Sequence, residues 1–159
     1  MGVSGSGKTT VGRALAERLD CAFFDGDDFH PPENVAKMAA GEPLQDADRR
    51  PWLAKLNALI GGLSSRNQCA IVACSALKRD YRRRLARDVP GVTFVFLKGS
   101  FEIIEARMRA RDDHFMGAQM LQSQFEALEP PGADEAVTVN VDDGSVAQIV
   151  ERILAALDN

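Results

Sequence analysis

The sequence lacks several features, and each absence excludes a class of protein. No run approaches the roughly 18 apolar residues that a membrane-spanning helix needs, and the first residues lack the basic-then-apolar pattern of a signal peptide. Basic residues are not in excess, since 19 Lys and Arg stand against 23 Asp and Glu, a formal net charge of −4. Binding nucleic acid through its phosphates requires a basic face. We therefore expect neither a membrane nor a nucleic acid as partner.

Cysteine is scarce as well. Cys21, Cys69 and Cys74 form an odd set without metal-ligand spacing, so they indicate neither a disulfide framework nor a zinc site. Cys69 and Cys74 bound an apolar run that is typical of a buried strand, and we expect the cysteines to act as small buried hydrophobic residues. This usage fits a reducing cytoplasm, which is the location we expect.

Short apolar runs alternate with amphipathic segments along all 159 residues, 45% of which are hydrophobic and 26% charged. We predict strands at 21–24, 69–74, 92–97 and 137–141. We predict helices at 9–19, from Pro32 to a stop at Gly41, from a cap at Asp46 or Asp48 to Leu63, and at 78–87, 101–110, 117–128 and 145–157. Pro51 and Trp52 would lie in the first turn of the third helix. This order predicts a single α/β domain, residues 1–159, with a mostly parallel sheet.

The strongest motif is Gly2-Val3-Ser4-Gly5-Ser6-Gly7-Lys8-Thr9, which satisfies G-x-x-x-x-G-K-[ST] and opens into the first predicted helix. Such a loop curls backbone N–H groups around a phosphate, the lysine reaches the outer phosphates, and the hydroxyl of Thr9 binds Mg²⁺. A Gly/Ser-rich turn that only caps a helix is the alternative. The predicted ATP-binding residues here are Gly2, Ser4, Gly5, Ser6, Gly7, Lys8, Thr9 and Thr10.

One feature departs from the motif. A phosphate loop normally follows a strand in the middle of the sheet, but only Met1 precedes Gly2. We therefore expect the first, central strand to be missing from this chain, which leaves the facing edges of two apolar strands unpaired. A truncated sequence is one explanation, and the cost of the unpaired edges favours it. A sheet that forms without that strand is the other.

Two carboxylates follow the first predicted strand. Asp25 and Asp27 come directly after it at i and i+2, so both can point into a cleft at the carboxyl end of the sheet. Phosphoryl transfer needs a metal-linked carboxylate and a carboxylate beside the attacking hydroxyl. We assign Asp25, with Thr9, to Mg²⁺ and Asp27 to the acceptor hydroxyl, and we predict that Lys8, Asp25 and Asp27 are catalytic. An acidic turn that caps the next helix is the alternative.

Further blocks accompany these motifs, in the order His30-Pro31, Gly41-Glu42-Pro43-Leu44, Pro51-Trp52-Leu53, Cys74-Ser75-Ala76-Leu77-Lys78 and His114-Phe115-Met116. Together with the phosphate loop they resemble gluconokinase over nearly the whole chain. The resemblance implies a three-layer α/β/α P-loop kinase fold, related to shikimate and nucleoside monophosphate kinases. It also implies transfer of the γ-phosphoryl group of ATP to the 6-hydroxyl of D-gluconate, with Mg²⁺. A homodimer is compatible with it.

The resemblance also directs attention to residues that could hold a polyhydroxylated anion. We expect a substrate-binding helical segment at about 30–65, and the candidate substrate residues are Asp27, His30, Arg50, Lys78 and Arg82. Lys78 and Arg82 are chosen from a basic run because they share one helical face at i and i+4. Trp52 is predicted to pack in the core or at a hinge rather than to contact substrate.

A lid is predicted at about 107–131. Arg107 and Arg111 lie at i and i+4 before His114, and closure over the triphosphate would exclude water. The resemblance implies that one lid arginine stacks on adenine and that another contacts phosphates. An exposed helix end with cations near its carboxyl terminus is the alternative.

Other functions remain open at this stage. A related kinase could phosphorylate shikimate, a nucleoside monophosphate or another polyol acid, although no base pocket is obvious. A nucleotide-binding switch without an acceptor is another possibility, but the Asn-Lys-x-Asp element of a GTPase is absent. A folding-compromised fragment that binds nothing is the last.

Overall fold

The computed structural model describes residues 1–110 and 118–157. In these residues seven α-helices alternate with four β-strands. The strands are β1 (Ala22–Asp25), β2 (Ala70–Ala73), β3 (Phe94–Lys98) and β4 (Ala136–Asn140). The helices are α1 (Lys8–Arg18), α2 (Pro32–Ala39), α3 (Asp46–Ser65), α4 (Arg79–Leu85), α5 (Phe101–Arg109), α6 (Ala118–Ala127) and α7 (Val146–Leu157). None of the helices described is both long and apolar enough to cross a membrane.

The strands form two parallel pairs that are covered on both faces. In β1 and β2, Ala22 lies opposite Ala70, and β3 pairs with β4 in the same parallel sense. Side chains alternate along each strand, as pleated backbone requires. Ile71 packs in a core cluster with α1 and α7, whereas its neighbour Val72 packs against a cluster formed by α3 and α4. The α/β/α layering that the resemblance implies is therefore confirmed.

The middle of the sheet holds no strand in the described part of the chain. Met1 instead bridges toward β3, since its amino nitrogen donates to Val95 O at 2.5 Å and Leu97 N donates to Met1 O at 2.9 Å. Gly2 N donates to Ser75 O, at 3.1 Å, just beyond β2. Above these bonds lies a cavity of about 690 Å³, lined by residues of both β2 and β3. The expectation of an absent central strand is thus confirmed.

The start of α3 differs from the prediction. Its N-cap is Gln45 rather than Asp46 or Asp48, because both carboxylates have other partners. Asp48 accepts from Gln45 N at 2.9 Å and from Lys37 Nζ at 2.7 Å. The helix consequently begins earlier, and Pro51 and its neighbour Trp52 lie in the second turn instead of the first.

The cysteines are less buried than predicted. Cys74 is buried, but Cys21 is half-buried and Cys69 is exposed. The physical reason is the strand boundary, since β2 begins only at Ala70 and leaves Cys69 in the preceding turn. The prediction of small buried hydrophobic residues is therefore correct for Cys74 and wrong for Cys69.

Candidate active site

The phosphate loop runs from Gly2 to Gly7 and is shaped by its glycines. Gly7 is the N-cap of α1 with a φ of 91°, a left-handed conformation that glycine adopts without strain. Gly5 has a φ of 78°, and a Cβ on it would lie 2.6 Å from Met108 Cγ. The loop therefore packs closely against α5 while the first N–H groups of α1 stay available for an anion.

Two polar side chains of this loop, Ser6 and Lys8, have hydrogen-bonding capacity that a bound anion could use. Ser6 is only 1% exposed, and its Oγ has no hydrogen-bond partner among the described residues. Lys8 Nζ donates to Val3 O at 2.9 Å. Burial lowers the pKa of Lys8, since the ammonium loses its hydration, although Asp27 and Asp25 oppose this effect. Phosphate oxygens would satisfy both groups, so the residues present fit a bound triphosphate.

Thr9 and Asp25 form a pair of hard oxygen donors beside the loop. Thr9 Oγ1 donates to Asp25 Oδ2 at 2.9 Å, and Asp25 Oδ1 accepts from Asp27 N at 3.2 Å. Within residues 1–110 and 118–157 no group of three or more His, Cys, Asp or Glu side chains is arranged to hold a metal. Mg²⁺ at kinase sites binds through one or two protein oxygens together with water and phosphate. The Thr9–Asp25 pair fits that chemistry.

Asp27 lies next to this pair and faces His30. Its Oδ1 is 4.0 Å from His30 Nε2, and 82% of the Asp27 side chain is exposed, so a substrate can reach it. The pKa of Asp27 is raised, because nearby protein atoms displace water and because Asp25 adds a like charge; Lys8 works in the opposite direction. A carboxylate with a raised pKa is a better proton acceptor.

His30 is fixed in one orientation by two residues of the helical segment. Asn34 Nδ2 lies 3.2 Å from His30 Nδ1 and also donates to Asp48 O at 2.9 Å. An amide nitrogen only donates, so Nδ1 accepts and the ring proton is on Nε2, toward Asp27. The ring stacks on Trp52 at a centroid distance of 4.4 Å. Burial lowers the pKa of His30, which is therefore neutral at pH 7.

Lys78 lies at the N-cap of α4 and is paired with the start of α3. Its Nζ donates to both carboxylate oxygens of Asp46 at 2.9 Å. The Tyr81 hydroxyl donates to the same carboxylate, and the Arg49 guanidinium lies 5.8 Å from the centre of the Tyr81 ring. These contacts join the start of α3, which lies in the predicted substrate-binding segment, to the loop after β2.

Comparison with known proteins decides the family. The family model described as shikimate kinase matches residues 4–158. The thermoresistant gluconokinase of Escherichia coli strain K12 is 48% identical over 158 residues, which is 96% of this chain and 90% of that protein. The chain belongs to the gluconokinase family. Among solved structures, a gluconokinase from Sinorhizobium meliloti 1021 superposes with a TM-score of 0.89 at 48% identity, covering 99% of this chain and 89% of that one.

The P-loop kinase fold extends beyond the gluconokinase family. The APS kinase CysC of Mycobacterium tuberculosis superposes with a TM-score of 0.73 over 100% of this chain and 95% of that one. Its identity is only 19%, so it supports the fold alone.

Two of the predicted substrate residues of this gluconokinase-family chain, Arg82 and Arg50, differ in exposure. Arg82 is 1% exposed, and its guanidinium binds Glu135 at 2.7 Å and the carbonyls of Ala76 and Leu77. Arg82, which was predicted to share a helical face with Lys78, lies on the buried side of α4, where these groups satisfy its guanidinium. Arg50 is exposed and has no ion pair among the described residues.

The predicted lid is described only in part. Arg107 lies near the end of α5, where its Nη2 donates to Val141 O at 2.6 Å and to Asp142 O at 3.3 Å. Arg107 thus joins α5 to the loop after β4. Arg111 and the block from His114 to Met116 lie outside the described residues.

A contact from α6 to the phosphate loop was missed by the sequence reasoning. Gln124 Oε1 accepts from Ser4 N at 2.7 Å, and its Nε2 donates to Ser4 Oγ at 3.1 Å. Asn34 was missed too, because a single polar residue inside a helix carries no signal until its partner is known. The spacing of Asn34 four residues after His30 is the one hint that the sequence contained.

Proposed function

We propose that this chain transfers the γ-phosphoryl group of ATP to the 6-hydroxyl of D-gluconate, giving 6-phospho-D-gluconate and ADP. One observation carries the proposal: a phosphate loop with a half-buried lysine and the Thr9–Asp25 oxygen pair lies beside the exposed Asp27, which faces His30. Similarity to gluconokinases over most of the chain supports the choice of acceptor.

The donor side is built from the loop and α1. The backbone N–H groups from Gly5 to Thr9, together with the Lys8 ammonium, hold the phosphates and offset their charge. Ser6 Oγ, which is buried without a partner among the described residues, donates to a phosphate oxygen. Thr9 and Asp25 would hold Mg²⁺, which supplies further positive charge to the transferring group when bound. Thr10 and Gly2 complete the predicted donor site.

The acceptor side is built from Asp27 and His30. Asp27 accepts the proton of the attacking hydroxyl, a role that its raised pKa favours. His30 Nε2 donates to an oxygen of the substrate, since Asn34 fixes the other ring nitrogen as an acceptor. These two contacts orient the hydroxyl toward the phosphate, which is the main task of an enzyme in phosphoryl transfer.

The carboxylate of the sugar acid requires a cation. Lys78 and Arg50 are the proposed contacts, because Lys78 lies at the amino end of α4 and Arg50 is exposed on the substrate-binding segment. Lys78 is neutralised by Asp46 in this structure, so substrate binding requires it to change partner.

The proposal has three further parts. Residues 107–131 form the lid, and Arg107 and Arg111 contact the nucleotide. The protein acts in a reducing cytoplasm.

The test is a coupled ADP-release assay with MgATP and a panel of D-gluconate, shikimate, glycerate and AMP. Turnover with gluconate alone is expected. Asp27→Asn is expected to lower kcat by about 100-fold or more. The matched control is Asp28→Asn, at the neighbouring exposed carboxylate, which is expected to keep the wild-type kcat. Turnover with shikimate, or ADP release that is independent of any acceptor, would contradict the proposal.

A further inference from the structure

Two of the three cysteines lie side by side at the amino ends of β1 and β2. The parallel register pairs Ala22 with Ala70, and Cys21 and Cys69 are the residues directly before them. Neighbouring strands lie about 4.8 Å apart, which falls within the Cα separations that disulfides span. The register therefore places the two cysteines where a bond between them needs no large backbone movement.

The environment of the side chains agrees with this placement. Cys69 lies close enough to Cys21 to affect the pKa of the Cys21 thiol. Cys69 is exposed and Cys21 half-buried, so a small oxidant reaches Cys69 first. Burial, followed by the nearby Cys69, raises the pKa of Cys21 to about 11, which keeps Cys21 protonated at neutral pH. Cys74 is buried elsewhere, against α3 and α4, and does not compete.

We propose that Cys21 and Cys69 form a reversible disulfide when the protein meets a hydroperoxide. Cys69 sulfur attacks the peroxide oxygen, the O–O bond breaks, and Cys69 becomes a sulfenic acid while the rest of the peroxide leaves as water or alcohol. Cys21 sulfur then attacks the Cys69 sulfur, and the hydroxyl leaves as water with the proton of the Cys21 thiol. The two sulfurs lose two electrons, and the peroxide gains them.

The position of the bond determines its effect. β1 and β2 are neighbours in space but are separated in the sequence by α2 and α3. A disulfide between them would therefore close a long loop of the unfolded chain and restrict its conformations. It would also fasten β2, whose other edge borders the cavity in the middle of the sheet. Asp25, at the far end of β1, lies four residues from Cys21, or roughly 13 Å along the strand. The oxidised chain is therefore expected to be more stable and to keep its turnover.

The experiment treats the full chain with hydrogen peroxide and examines it by intact mass, non-reducing peptide mapping and thermal melting. The expected product has lost two hydrogen atoms, links the peptides of Cys21 and Cys69, melts about 5 °C higher, and returns to the starting state with dithiothreitol. Cys74→Ser is the matched control and is expected to form the same product.

Cys21→Ser and Cys69→Ser are each expected to abolish the linked peptide and the rise in melting temperature. Because serine is close to cysteine in size, the reduced variants should melt near the wild type, which separates loss of the bond from loss of the fold. Three results would overturn the proposal: a sulfinic acid on Cys69 without a link, a bond to Cys74, or only intermolecular dimers.

Discussion

Thr9 Oγ1 donates a hydrogen bond of 2.9 Å to Asp25 Oδ2, and this contact connects the first turn of α1 to the last residue of β1. The two residues belong to different elements and are brought together by the packing of α1 on the β1–β2 pair. The bond holds two oxygen atoms close to the half-buried Lys8 before any substrate binds.

This relationship predicts the effect of removing the carboxylate charge. Asp25→Asn retains the shape of the site but loses the negative charge that would hold Mg²⁺, so kcat for gluconate is expected to fall by about 100-fold or more. Thr9→Ser keeps the hydroxyl and should stay within a few-fold of the wild type. The measurement is ADP release over a Mg²⁺ titration. An Asp25→Asn enzyme with unchanged kcat and Mg²⁺ dependence would remove Asp25 from the metal site.

Arg82 provides a second prediction, in which stability and substrate binding respond differently. Arg82→Met removes the ion pair with Glu135 and the hydrogen bond to Ala76 O, while Leu77 O keeps its bond from Glu129 N. The free energy of unfolding is expected to fall by about 3 kcal/mol, whereas the KM for gluconate of the folded enzyme should stay unchanged. Arg83→Met, at the neighbouring exposed position, is the matched control and should stay within about 0.5 kcal/mol.

Urea unfolding and steady-state kinetics on the same preparations check both parts. A large rise in KM for Arg82→Met, with little change in stability, would instead return Arg82 to the substrate site.

The environment of His30 predicts how stability depends on pH. Burial lowers the pKa of His30 from its ordinary value of 6.5, so between the lowered value and 6.5 the unfolded chain binds a proton that the native chain does not. This residue therefore contributes stability that is complete above about pH 6.5 and is lost as the pH falls through the lowered pKa. Gln cannot titrate, so the His30→Gln variant should lose less free energy of unfolding than the wild type as the pH falls.

The measurement is the free energy of unfolding in urea at several pH values from 5 to 7.5, taken as the difference between wild type and His30→Gln. Taking the difference removes the contributions of carboxylates common to both proteins. A difference that is constant over this range would show that protonation of His30 is not coupled to folding.

The cavity between β2 and β3 predicts that the sheet accepts another strand. Five apolar β-forming residues placed before Met1 would continue the bonds from Met1 to Val95 and Leu97 and fill the space of about 690 Å³. The extended chain is expected to be more stable by several kcal/mol, on the order of one buried strand. An extension of equal length made of Gly and Ser is the control, and it should have little effect.

Thermal and urea unfolding are compared for the original chain, the chain with the apolar extension and the chain with the Gly/Ser extension. Binding of a hydrophobic dye should decrease only for the apolar extension, because only that extension fills the cavity. Equal stabilities for the two extensions would show that the cavity does not admit a strand.

Local signals explain why much of the site could be predicted from the sequence. The phosphate loop depends on glycines whose positive φ angles are properties of single residues, as at Gly5 and Gly7. Asp25 and Asp27 follow an apolar run directly, and the end of a parallel strand is where ligands bind in an α/β sheet. The order of helices and strands follows from hydrophobic periodicity within each segment.

Tertiary structure decided which cations and thiols have partners, since these pairings join residues far apart in the chain. Arg82 lies in the interior, where Glu135, 53 residues further along the chain, supplies its counter-charge. Lys78, which is predicted to contact substrate, is paired with Asp46, 32 residues earlier in the chain. The neighbouring positions of Cys21 and Cys69 depend on strand register. Sequence periodicity indicates that a segment is helix or strand, but register and long-range charge pairing are set only when the elements pack.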